Sequence, residues 1–84
     1  MDKLEYELVT LYNGKQYFVL ESLMHEYEIY NLILNVEDED DIKIVLQEVK
    51  NGKTVLNDVK DDYLLKTLSA MFKEKIEAKQ NDIN

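Results

Sequence analysis

The sequence predicts an α+β domain: an antiparallel β-meander of four to five strands with one C-terminal α-helix packed on one face. Three observations carry that expectation. Apolar and polar residues alternate with period two through most of residues 4–56, the repeat of half-buried strands. Two Asn-Gly dipeptides, Asn13-Gly14 and Asn51-Gly52, interrupt the alternation, and both residue types accept the positive φ of a tight hairpin. From Asp58 onward the period changes to about 3.6, that of an amphipathic helix.

The longest apolar run, residues 27–36, takes the central strand. Tyr and Ile are frequent in it, and Asn31 and Asn35 are weak helix formers, so a strand is favoured over three helical turns. Alternation sends Tyr30, Leu32, Leu34 and Val36 to one side, face A. It sends Tyr27, Ile29, Asn31, Ile33 and Asn35 to the other, face B.

The first strand spans residues 4–12, with Leu4, Tyr6, Leu8, Thr10 and Tyr12 opposed to Glu5, Glu7, Val9 and Leu11. A two-residue turn at Asn13-Gly14 would set Tyr12 against Lys15, Thr10 against Tyr17 and Leu8 against Val19, opening a second strand over 16–23. His25-Glu26 marks the next turn. A connection of two or four residues puts Tyr17 and Val19 on face A; three residues would exchange the faces. Glu37, Asp38, Glu39, Asp40 and Asp41 form an exposed, self-repelling loop. Strands over 42–50 and 53–56 follow, joined at Asn51-Gly52.

The helix is expected over about 59–79, with Leu64, Leu65, Leu68, Met71, Phe72 and Ile76 in one stripe. Asp58, Asp61 and Asp62 crowd its start, and Lys73, Lys75 and Lys79 its end, as the helix dipole favours. Asp58 or Asp61 caps it, and residues 80–84 form a polar, fraying tail.

Eighty-four residues, 45% of them apolar, suffice for one domain with one core. Without cysteine there is neither a disulfide framework nor a thiolate metal site, and a cytoplasmic setting fits. No signal segment and no apolar run of about 18 residues is evident, so membrane spanning is disfavoured. The net charge of −8 is lopsided: residues 1–41 hold eleven carboxylates and two lysines, residues 42–84 seven carboxylates and eight lysines. Direct binding to nucleic acid or anionic lipid is thereby disfavoured, and a basic protein surface is the natural electrostatic partner. The plainer reading is that the charge keeps the domain soluble.

Catalytic chemistry finds little footing. His25 is the single histidine, Ser22 and Ser69 have no evident base, and both glycines are used in turns. The acidic run lacks the glycine and distal glutamate of a helix–loop–helix calcium site. Six tyrosines could stack bases, but no basic groove accompanies them. The expectation is a protein that is not an enzyme and has no cofactor and no metal.

One helix of about twenty residues is roughly 30 Å long and covers one sheet face, assigned to face A with Leu8, Tyr17, Val19, Tyr30, Leu32, Leu34, Ile42, Ile44 and Leu46. Face B then leaves Val9, Leu11, Phe18, Leu20, Ile29, Ile33 and Val45 as an interaction face for another protein or a second copy of the chain. Alternatively, sheet twist and the long polar side chains Gln16, Lys43 and Gln47 cover it. Two functions from different classes follow: a non-catalytic protein-interaction or self-association module, or an inhibitor whose acidic surface, Glu37 to Asp41, mimics nucleic-acid phosphate and blocks a basic nucleic-acid-binding protein.

In the segments YNGKQYFVLESL (12–23), IKIVLQEVKNGKTVL (42–56) and DDYLLKTLSAMFKEK (61–75), the chain resembles the YrzB-like family of small acidic proteins of unknown function from Gram-positive bacteria. The likeness is a G-K-x-Y strand, an acidic break, an Ile/Val strand and a closing helix. The chain departs from it in its brief lead-in and in HEYEIYNLI, where a shorter strand is usual. The resemblance implies a non-enzymatic accessory domain and no particular activity.

Overall fold

The computed structural model describes the backbone of residues 6–81 and the side chains of residues 6–79. The expected strand start at Leu4 and residues 82–84 of the polar tail lie outside the described residues. Five strands precede one helix: β1 (Glu7–Thr10), β2 (Gln16–His25), β3 (Glu28–Asn35), β4 (Ile42–Lys50), β5 (Lys53–Asp58) and α1 (Asp62–Asn81). Spatial order equals chain order and every neighbour is antiparallel, so the sheet is a five-stranded meander.

Of the four hairpin connections, three are tight turns: two of two residues and one of three. Asn51 and Gly52 take φ of 53° and 78° with Lys50 opposite Lys53, the expected two-residue turn. At the first hairpin only Gly14 has positive φ, 81°. The Asn13 side chain accepts a 2.9 Å bond from the Lys15 amide, and the Leu11 amide donates to the Lys15 carbonyl at 3.0 Å. The loop is therefore three residues, Tyr12 to Gly14, because the asparagine carboxamide satisfies its own neighbour's amide instead of entering the left-handed region. Register moves by one from the expected pairing: Leu8 faces Phe18 and Val9 faces Tyr17.

The β2–β3 turn uses Glu26 and Tyr27 at φ 52° and 71°, and His25 closes β2 opposite Glu28 instead of lying in the turn. This is a two-residue connection, the length that should place Tyr17 and Val19 on face A. They lie on face B. The cause is a bulge: Val19 pairs with Ile33 but Glu21 with Leu32, leaving Leu20 as an extra residue. One inserted residue reverses the sides of everything N-terminal to it in β2. Tyr17 and Val19 therefore align with Asn35 and Ile33, while Phe18 aligns with Leu34 on face A.

Asp61 caps α1, its Oδ1 accepting from the amides of Tyr63 at 2.9 Å and Leu64 at 3.2 Å. The helix starts at Asp62 and not near 59, because β5 continues to Asp58 and the Val59 amide donates to the Ile44 carbonyl at 3.4 Å. Leu68 and Phe72 are buried on Tyr30, with Leu23, Leu32, Ile44, Leu46, Val59, Leu64 and Met71 half-buried around them. At the other end, Glu21 receives Lys79 at 2.7 Å and Lys75 at 3.4 Å, and Lys75 also donates to the Ser22 carbonyl. Burial pushes the Glu21 carboxyl up, but hydrogen bonds from the two ammonium groups outweigh it and hold the group below its ordinary value.

Face B has a core of its own. Leu11, Tyr17, Ile33 and Val45 are buried together, with Val9, Val19 and Leu56 packed against them. Among the described residues no helix lies there. The sheet curls instead, so that the two edges approach and the Tyr12 hydroxyl donates to Asp58 Oδ2 at 3.2 Å across them.

Candidate functional site

The residues expected to form an exposed interaction face are scattered by that curl. Ile33 and Val45 have no exposed surface and Leu11 keeps 5%, so these three belong to the interior. Val9 and Leu20 are half-buried, and Leu20 is the bulge residue. Phe18 is on the opposite side of the sheet. Of the expected residues Ile29 alone is exposed, beside Met24 on the neighbouring strand, and Val49 of β4 is exposed on the same face. The expectation of a continuous face-B patch fails because a twisted meander folds its concave side over itself, with β1 and β5 supplying the rim.

Polar groups on that side are satisfied. The buried Asn31 donates to Gln47 Oε1 at 2.9 Å and accepts from the Ser22 hydroxyl, making a polar ladder across β2, β3 and β4. A groove of about 540 Å³ remains between Val9, Thr10 and Leu11 on one edge and Thr54, Val55 and Leu56 on the other.

The open apolar surface is on the helix side. Leu8, Phe18, Leu34 and Ile42 stand directly opposite one another on β1, β2, β3 and β4, one unbroken cross-strand row. Leu8 is 52% exposed and Ile42 54%; Phe18 and Leu34 are half-buried. The Tyr6 ring lies 6.0 Å from that of Phe18, tilted by 57°, and Val36 is also exposed near the far end. Between this row and the helix runs a notch of about 410 Å³ lined by Leu32, Ile44, Phe72, Ile76, Lys73 and Glu77, with Ser69 above. The row is bare because α1 sits over the pairs Tyr30–Leu46 and Leu32–Ile44 and stops short of Leu34–Ile42.

The acidic loop adjoins the row, since Leu34–Ile42 is the last pair before it. Glu37, Asp38, Glu39 and Asp40 are exposed as expected, but Asp41 is half-buried and turned inward. Its Oδ2 accepts from the Tyr17 hydroxyl at 2.7 Å and from Asn35 Nδ2 at 3.0 Å. Hydrogen bonds from Asn35 and then Tyr17 hold its carboxyl below the ordinary carboxylate value. The loop is itself fastened, with Asn35 Oδ1 accepting from the Glu37 amide at 2.7 Å and Asp38 Oδ1 from the Asp40 amide at 3.0 Å. An acidic run is thus held in one shape.

His25, Ser22 and Ser69 are not brought together. Ser22 bonds Asn31, Ser69 is exposed on α1, and His25 sits half-buried at the end of β2, 3.8 Å from the Glu26 carboxylate. Among the described residues no three of His, Cys, Asp and Glu are grouped to hold a metal, and no helix is long and apolar enough to cross a membrane. The row itself was accessible in principle from residue types, because a three-residue loop ending in Gly14 puts Leu8 beside Phe18. The bulge that aligns Phe18 with Leu34 has no such sign: Val19-Leu20-Glu21 contains neither glycine nor any other residue typical of one.

Compared with family models, with curated proteins and with solved structures, the chain matches none.

Proposed function

We propose that this domain is a non-catalytic protein-interaction module whose contact surface is the row Leu8–Phe18–Leu34–Ile42 and the adjoining notch. The observation that carries the proposal is the register itself, which assembles four apolar side chains from four strands into one strip that the helix leaves open. Each Å² of apolar surface withdrawn from water on binding contributes about 25 cal/mol, and contiguous exposed strips of this kind mark interfaces more often than isolated side chains do. Membership of the YrzB-like family is part of the same proposal and rests on the strand and helix motifs quoted above.

The acidic loop supports a second reading, a phosphate mimic, because Glu37 to Asp40 are exposed beside the row in a fixed conformation. Affinity capture distinguishes the two. The bait is the wild-type domain, a Leu8→Lys/Ile42→Lys variant, and a variant with residues 37–40 changed to their amides. A protein held by the wild type through high salt and released by the row variant, with far-UV circular dichroism unchanged, supports the interaction module. A protein eluted by salt and lost with the amide variant supports the mimic. Captured proteins indifferent to both changes would overturn both readings.

A further inference from the structure

Resting on that reading, we infer that the occupant of the row is an α-helix of another protein, laid alongside α1, with an apolar stripe flanked by Lys or Arg on the side facing the acidic loop.

The open lane has the dimensions of one helix. The pairs under α1, Tyr30–Leu46 and Leu32–Ile44, are centred three residues along β3 from Leu34–Ile42. At roughly 3.4 Å per residue that is about 10 Å, and packed helices lie about 8–10 Å apart. A helix centred over the row would therefore pack on the sheet below and against the half-buried Ile76 at its side, which lines the notch. Across four strands spaced about 4.8 Å, the row is about 14 Å long, or about ten residues of helix at 1.5 Å each. An apolar stripe over three turns matches it.

An extended segment fits this position poorly. Leu8, Phe18, Leu34 and Ile42 lie on the face of the sheet, where the backbones of β2 and β3 are already paired on both sides. A strand laid there would leave its own amides and carbonyls without partners, whereas a helix satisfies them internally. A second copy of the chain fits poorly too. The stripe of its α1 is spent, with Leu68 and Phe72 buried on its own sheet, and two copies would each bring a net charge of −8 and an exposed acidic loop.

Charge sets the polarity of the partner. On the loop side of the lane stand Glu37, Asp38, Glu39 and Asp40, all exposed; Lys15 lies beside Glu37 and Asp38 and offsets one of the four charges, leaving that side net negative. On the α1 side Lys73 and Glu77 balance one another at the notch. Basic residues are therefore favoured along one flank of the incoming helix.

The test uses the isotope-labelled 84-residue chain and two designed peptides of about 18 residues with the same leucine stripe, one flanked by lysine and one by glutamate. The lysine peptide is expected to shift the amide signals of Leu8, Phe18, Leu34 and Ile42 and to bind at least about tenfold more tightly than the glutamate peptide, a difference of about 1.4 kcal/mol. Ile42→Asp supplies the decisive control, with Leu8→Asp as its duplicate on another strand. Each adds a carboxylate, so a purely electrostatic association would tighten, while docking on the row should weaken at least tenfold. Tightening, or equal binding of both peptides, overturns the inference. If neither peptide moves the row but sedimentation shows a dimer that Ile42→Asp dissociates, the occupant is a second copy: the inference falls and the interaction surface stands. If the row is silent and the domain monomeric at high concentration, both fall.

Discussion

The Tyr17 hydroxyl, on a side chain with no solvent exposure, donates a 2.7 Å hydrogen bond to Oδ2 of Asp41, the last of five consecutive acids. That bond joins the helix-free core to the base of the acidic loop. With Asn35 as second donor, it fixes the Asp41 end of the run, while Asn35 Oδ1 holds the Glu37 amide at the other.

Acid should act through this contact. The Asp41 carboxyl is depressed relative to its free value of 3.8, so its contribution to stability is complete above that value and is lost as pH falls through the folded value. Tyr17 is shifted the other way, by burial first and then by the bond to Asp41; its contribution is complete below pH 10.0 and is lost as pH rises through its folded value. Asp41→Asn is expected to flatten the part of the acid limb below about pH 4, leaving the part due to Glu21. Tyr17→Phe should cost about 1 kcal/mol at neutral pH and soften the alkaline limb. Urea midpoints measured from pH 2 to 11 check both; an unchanged acid limb in Asp41→Asn would refute the role given to this carboxylate.

Glu26 and Tyr27 hold a left-handed conformation that costs L-residues roughly 1–2 kcal/mol each, at φ of 52° and 71°. Tyr27 is 97% exposed, so its side chain has little packing to lose. Glu26→Asn with Tyr27→Gly installs the residue pair already found at Asn51-Gly52. The double variant should be more stable by about 1–2 kcal/mol, read as a higher denaturant midpoint with unchanged slope.

Leu20 separates a register effect from a packing effect. Leu20→Ala trims a half-buried side chain and should cost about 1–2 kcal/mol. Deleting Leu20 removes the extra residue, so Val19–Ile33 and Glu21–Leu32 become consecutive pairs and Tyr17 and Val19 keep their places in the core. The deletion should therefore cost about as much as Leu20→Ala, about 1–2 kcal/mol, and unfolding should stay cooperative. A loss above about 3 kcal/mol, or loss of cooperative unfolding, would show that Leu20 is not the extra residue of the ladder.

At the start of α1, Asp61→Ala removes the acceptor for two otherwise unpaired amides. A loss of about 1 kcal/mol is expected, seen as a lower thermal midpoint, with Asp61→Asn restoring most of it.

Much of the architecture was legible in the residues. Alternation over five segments, a tight turn at Asn51-Gly52 and the 3.6-residue stripe Leu64, Leu68, Phe72 specify strands, a hairpin and a helix locally. Each signal depends on neighbours in the chain. The candidate site was not legible in the same way. That the apolar surface exceeds what one helix covers followed from counting, but which side keeps the excess depended on two one-residue shifts of pairing. One, at Asn13-Gly14, arises where a side-chain carboxamide competes for a backbone amide. The other, at Leu20, has no local mark.

Composition and periodicity by themselves determined an acidic α+β meander with one closing helix, because strand and helix periods are written into consecutive residues. Tertiary structure alone decided that Ile33 and Val45 lie inside and that Leu8, Phe18, Leu34 and Ile42 line up outside. The physical reason is that side-chain direction in a strand has period two, so a single extra residue exchanges interior for surface along the rest of the strand.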